Sequence, residues 1–228
     1  MKFFSVDSPL YKFMSRLMDV FKLNCMWLLC SLPIVTMGAA TTAAYTITLK
    51  MVNDEEGYIA GPFWKEFKAN LKKGSILGVI ALFACYAVYL DFQLYHVAKQ
   101  HNMMFLIVGV IGIYLIFMHI VFAFPLLARY ENSIVNTMRN SYSIAAKFLG
   151  RTAFLAVLLV IEMAIILWNL TTMFAGLLIG PACIILTISG FANSFFTVIE
   201  RENLMAEQEE KEATQLNGEP ISGDEDDI

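Results

Sequence analysis

Apolar residues in this chain fall in runs too long for elements of a soluble fold. Residues 23–49, 74–98, 103–128 and 152–199 contain no Lys or Arg and only two carboxylates, Asp91 and Glu162. A helix needs about 20 apolar residues to cross a hydrocarbon core about 30 Å thick. The last run is long enough to cross twice, so it is predicted to turn back at Trp168-Asn169-Leu170-Thr171. Lipid offers no hydrogen-bond partner to open backbone, which makes every run a predicted helix. The pattern therefore predicts an all-α, polytopic membrane protein with five apolar stretches.

The first stretch carries its own interruption. Pro33, within Leu32-Pro33-Ile34, lacks an N–H and clashes with the preceding turn, and the small residues from Gly38 to Ala44 restart the helix. This predicts a first helix from about Ser8 to Ser31 and a shorter second one from Gly38 to about Val52. The result would be a hairpin, giving six membrane helices in three hairpins. The competing reading is one tilted span with a proline bend.

Charge favours the hairpin. Lys and Arg number 4, 5, 1, 4, 0 and 2 in residues 1–22, 50–73, 99–102, 129–151, 169–172 and 200–228. Cytoplasmic loops carry the basic excess. Five single crossings leave 11 basic residues inside and 5 outside, whereas a hairpin at the start leaves 15 inside and only Lys99 outside. Both termini are then expected in the cytoplasm.

Composition agrees, with 58% hydrophobic and 16% charged residues, well away from the soluble balance. The charged positions from Lys2 to Lys22, with no small-residue cleavage site promptly after them, predict a retained segment rather than a cleaved signal peptide. Cys25, Cys30, Cys85 and Cys183 lie inside apolar runs without C-x-x-C spacing, so no disulfide, metal or cofactor is expected. Residues 1–199 form one predicted membrane domain, with 14 Lys/Arg against 9 Asp/Glu. Residues 200–228 carry 2 against 11 and read as an acidic tail. That tail is expected to be largely disordered, although Glu200 to Leu216 has the composition to prolong a helix.

Three basic segments, Pro9 to Lys22, Pro62 to Lys73 and Asn136 to Arg151, are amphipathic. In the second, Phe63, Phe67, Asn70 and Leu71 share one helical face and Lys65, Lys68 and Lys72 another, the pattern of a helix lying at the headgroups. Together they look like a loose internal repeat. The basic residues flank membrane runs and do not exceed what orientation requires, so no nucleic-acid partner is expected.

Further motifs narrow the class. Asp7-Ser8-Pro9-Leu10-Tyr11, Asn24, the run Trp27 to Thr36, Gly38-Ala39-Ala40-Thr41-Thr42-Ala43, Asp54-Glu55-Glu56-Gly57 and Phe67-Lys68 with Asn70 resemble the YesL-like family of bacterial membrane proteins, a domain of unknown function. The resemblance is dense over residues 4–80 and compositional beyond. It implies a Gram-positive-type plasma-membrane protein whose genes accompany sugar-uptake ABC transporters and polysaccharide-degrading enzymes. It implies no catalytic residue.

Three polar residues at depth are the candidate intramembrane site. Glu162 lies about 15 Å into a helix beginning near Thr152, where an ionised carboxylate is costly unless it is neutralised, paired or wet. His119 lies at similar depth with a hydrogen to donate, and Asp91 sits nearer the outer surface, one turn from Tyr95 and His96. Each fits a substrate or proton site, and each fits better an ordinary helix-to-helix hydrogen bond. Gly74-x-x-x-Gly78 and Gly176-x-x-x-Gly180 would allow close helix approach. Pro181 predicts a kink beside the helix of Glu162, where a cavity would open.

Two functions follow as expectations. The first is a non-enzymatic accessory or regulatory component of carbohydrate uptake that binds ABC permease subunits or other membrane proteins. The second is an autonomous small-solute permease or channel using Glu162, His119 and Asp91. No paired acid, nucleophile-base set or metal spacing supports an enzyme.

Overall fold

The computed structural model describes residues 8–55, 57–97, 103–130 and 132–216. Every regular element among them is helical: α1 (Pro9–Ser31), a 3₁₀ turn (Ile34–Thr36), α2 (Met37–Val52), α3 (Ala60–Ala69), α4 (Leu71–Val97), α5 (Met103–Met118), a π turn (His119–Ala123), α6 (Phe124–Arg129), α7 (Ile134–Lys147), α8 (Leu149–Ile166) and α9 (Leu170–Leu216). Lys99 and residues 217–228 of the acidic tail lie outside the described residues. The chain divides into one unit ending at Ala192 and a second beginning at Asn193. In the second unit α9 continues as helix to Leu216, with Glu200, Arg201, Glu202, Glu207, Glu209, Glu210, Lys211 and Glu212 on its polar stretch.

Among the described residues four helices are long and apolar enough to cross a membrane: Leu71–Val97, Met103–Arg129, Leu149–Ile166 and the one beginning at Leu170. This is a multi-pass membrane protein. The sequence pattern predicts six, and α1 and α2 account for the difference. Lys12, Arg16, Asp19 and Lys22 interrupt the apolar character of α1, and α2 has only 16 residues, about 24 Å of helix against a core of about 30 Å.

Local chemistry explains the ends of α1 and α2. The Ser8 hydroxyl accepts the Tyr11 amide at 3.2 Å, and Pro9 follows at the first helical position, where its missing N–H costs nothing. At the other end Pro33 stops the helix, and Thr36 Oγ1 donates to the carbonyls of Cys30 at 2.7 Å and Pro33 at 2.9 Å, closing the turn. α1 and α2 then pack antiparallel. Trp27 Nε1 donates to Thr41 Oγ1 at 3.0 Å near the turn, and Arg16 pairs with Asp54 at the open end.

The interior of the first unit is built around α2. Gly38, Ala39, Ala40, Thr42, Ala43, Ala44, Tyr45, Ile47, Thr48 and Leu49 are all buried. A helix apolar or small all round is a buried helix, and small residues let neighbouring backbones approach. Where α2 crosses α4 the contact is backbone on backbone. A Cβ on Gly74 would lie 2.7 Å from Ala39 Cα, and one on Gly78 would lie 2.9 Å from Gly38 Cα. Gly74-x-x-x-Gly78 is thus a working close-approach motif.

Gly176-x-x-x-Gly180 works differently, holding a side chain. A Cβ on Gly176 would lie 2.5 Å from Ile166 Cγ2, and one on Gly180 would lie 3.0 Å from Ile166 Cδ1. Ile166 of α8 thereby fills a groove on α9. The turn between them is fixed by Asn169 Oδ1 accepting the Thr172 amide at 2.9 Å.

The short helices α3 and α7 bury one face each. Phe63 and Phe67 are buried while Lys65 and Lys68 are exposed on α3, and on α7 Thr137, Ser141, Ile144 and Ala145 are buried while Arg139 and Lys147 lie off that face. The spacing i, i+4, i+7, i+8 is that of an amphipathic helix. Lys73, at the start of α4, donates to the Asn132 carbonyl at 3.1 Å, joining that end of α4 to the loop before α7.

Candidate functional site

Polar side chains in an apolar helix need partners, because an unmet hydrogen bond there has no water to fall back on. Following those partners from α1 onward gives the geometry of the site.

Asn24 is fully buried on α1 and engages α9. Its Nδ2 donates to the carbonyls of Leu177 and Leu178, each at 2.9 Å, and its Oδ1 accepts the amide of Ala182 at 3.1 Å. Pro181 is the reason these groups need a partner. A proline has no N–H for the carbonyl four residues back, here Leu177, and its ring forces that turn of helix apart. The Ala182 amide and the Leu178 carbonyl, partners in a regular helix, are both met by Asn24 as well. One carboxamide answers two acceptors and one donor. Sequence reasoning singled out Pro181 as a kink but did not pair it with Asn24. The available signal was one amide in an apolar run and one proline in another.

α2 reaches α9 as well. The hydroxyls of Thr48 and Ser189 lie 2.6 Å apart, both side chains fully buried.

The three residues singled out by sequence occupy separate helix contacts. His119 is 3% exposed and opens the π turn. Its Nε2 lies 3.3 Å from the Leu77 carbonyl of α4, its ring meets Phe124 edge-on, and its Nδ1 has no partner among the described residues. The π turn precedes Pro125, which leaves the Val121 carbonyl without its usual donor. Extra-residue turns of this kind relieve such a break.

Glu162 of α8 faces α9. Thr187 Oγ1 donates to its Oε1 at a long 3.5 Å, while the buried Oε2 has no partner among the described residues. Asp91 of α4 lies against α5, where a Cβ on Gly109 would come within 3.6 Å of its Oδ2. No hydrogen bond found among the described residues joins any two of Asp91, His119 and Glu162. Nor do three His, Cys, Asp or Glu side chains come together among those residues in a way that could hold a metal ion.

The part of the chain with the tightest backbone packing, α1 through α4, is also the part with a known likeness. Residues 20–92 match a family described as a protein of unknown function, DUF624. The match covers Asn24, the break at Pro33, Gly38 and the Gly74/Gly78 crossing. Neither the curated proteins nor the solved structures contain a match to the chain. What the likeness takes in is therefore the α1 to α4 packing, and it carries no reaction with it.

Proposed function

We propose that the protein is a non-enzymatic accessory component of carbohydrate uptake in the bacterial plasma membrane, acting by binding ABC permease subunits or other membrane proteins. The observation that supports this most is the destination of the polar groups. Asn24, Trp27, Thr41, Thr48 and Ser189 all hold one helix to another. Chemistry of that kind builds a rigid scaffold rather than a solute path. The resemblance to YesL-like proteins, with their setting among sugar transporters and polysaccharide-degrading enzymes, supplies the class of partner. A tagged chain purified from its own membranes in mild detergent is expected to bring down ABC permease subunits. Recovery of the chain alone, from cells grown on the oligosaccharide, would count against the proposal.

A second reading has its own support. Glu162 Oε2 and His119 Nδ1 are buried without partners among the described residues, and buried unmet polar atoms are uncommon. They suit an autonomous permease in which these residues, with Asp91, meet a solute or proton. Solute flux into proteoliposomes holding the purified chain alone would favour this second reading.

The orientation we propose puts both termini in the cytoplasm, with α1 and α2 as a hairpin that enters and leaves on one side. The Arg16–Asp54 ion pair supports it, since it joins the beginning of α1 to the turn after α2. Burial of α2 against protein relaxes the length requirement that lipid would impose. With that arrangement 15 of the 16 Lys and Arg lie on the cytoplasmic side.

A further inference from the structure

We propose that α9 is a jointed helix, hinged at Leu177–Ala182, and that Asn24 is the latch that sets the joint. A proline in a helix leaves a weak point whose two halves are held only by whatever satisfies the freed backbone groups. Here that agent comes from α1, which supplies three hydrogen bonds from one fully buried side chain. Among the described residues no other side chain is seen to hydrogen-bond these three groups, so the setting of the joint depends on the position of α1.

The joint lies next to the polar contact between α8 and α9. Cys183 and Thr187 follow Pro181 on the same helix, and Thr187 donates to Glu162 of α8 at 3.5 Å. Gly176, just before the joint, and Gly180, within it ahead of the proline, hold Ile166 of α8. The segment N-terminal to the proline is thus pinned to α8 by packing, while the segment after it is held to α8 by one long hydrogen bond and by Phe154 against Phe191, and to α2 by the Thr48–Ser189 contact. Withdrawing Asn24 lets the two separately anchored segments change their angle at the joint, which alters the contact of Thr187 with Glu162 and the access to Cys183. A partner that displaces α1 would, by this route, alter the surroundings of Glu162 without touching α8 or α9. The inference holds for either function proposed above, because it concerns how α1 is coupled to the α8–α9 contact.

Asn24 is therefore a positioning residue, and its effect is expected to require Pro181. The test uses the full chain with Cys25, Cys30 and Cys85 replaced by Ser, leaving Cys183 as the one thiol, in the presence and absence of Asn24→Ala and Pro181→Ala. Alkylation of Cys183 by a small maleimide in detergent is expected to speed up several-fold in N24A. It should return close to the starting rate in N24A/P181A, because alanine in place of the proline restores the N–H that Leu177 needs. Asn24→Asp, protonated in this buried setting, keeps an acceptor for Ala182 and one of the two donors, so it should fall between Asn24 and N24A. It carries the comparison if N24A is not recovered as a monodisperse species. An unchanged rate in the Asn24 variants, or the same acceleration with and without Pro181, would overturn the latch.

Discussion

Gly38 of α2 lies against the carbonyl oxygen of Gly74 on α4, with no room for a side chain between them. A Cβ on Gly38 would also fall within 2.8 Å of the Cα of Gly78. Two helices in direct backbone contact gain close packing along their length and lose it all when either is pushed away.

Gly38→Leu is accordingly expected to destabilise the fold by about 2 kcal/mol or more, the upper part of the usual range for overpacking. Gly61→Leu, at an open position where a Cβ meets nothing within 4 Å, is expected to cost much less. Thermal unfolding in detergent compares the two directly. Equal midpoints for both variants would contradict the close crossing.

Thr48 and Ser189 offer a test of how α2 is held to α9. Thr48→Val and Ser189→Ala each remove one end of the buried 2.6 Å contact. Hydrogen bonds between membrane helices couple by about 0.6 kcal/mol on average and about 1.7 at most. The double variant should therefore lose less stability than the two single losses together, by an amount in that range. Strict additivity in the double-mutant cycle would show that the hydroxyls do not interact.

Glu162→Gln keeps the shape and the hydrogen-bonding ability of the side chain, while Glu162→Leu removes both. If Glu162 serves only to join α8 to α9, Gln should preserve stability and sugar-dependent growth, and Leu should lower stability by about 1 kcal/mol, the scale of one buried hydrogen bond. If the permease reading holds, Gln keeps the fold and abolishes flux. Wild-type behaviour of both variants in both assays would remove Glu162 from either role.

Topology is open to single-cysteine labelling in a cysteine-free background. Impermeant maleimide applied to intact cells is expected to label Trp168→Cys, at the exposed turn between α8 and α9, and to spare Ser5→Cys and Gln215→Cys. Labelling at position 5 with protection at 215 would restore a single first span in place of the hairpin.

Much of the helix layout was legible in the sequence because proline and glycine act locally. The break read from Pro33 and the restart read from Gly38 predicted helices from about Ser8 to Ser31 and from Gly38 to Val52, and the observed ones are Pro9–Ser31 and Met37–Val52. The turn expected at Trp168 to Thr171 falls between Ile166 and Leu170. Gly74 and Gly78 were recognisable as a close-approach spacing, although their partner, Gly38, was not. The π turn at His119–Ala123 was not foreseen, and Pro125 was its signal. Partners were the harder part. Asn24 contacts Leu177, 153 positions away, and nothing local to either residue encodes the distance between them. Depth alone made Glu162 stand out, but depth does not reveal that Thr187 faces it or that His119 and Asp91 sit at other helix contacts.

The reliance of α1 on α9 has a consequence for biogenesis. Asn24 emerges from the ribosome long before Leu177, Pro181 and Ala182 exist, and Thr48 likewise precedes Ser189. Until the last apolar run is inserted, the α1–α2 segment has Gly74 and Gly78 to pack against but no counterpart for its most demanding polar side chain. Synthesis from one end to the other must therefore hold the N-terminal helices in an incomplete state. A chain truncated before Leu177 would leave Asn24 as an amide with none of its α9 partners.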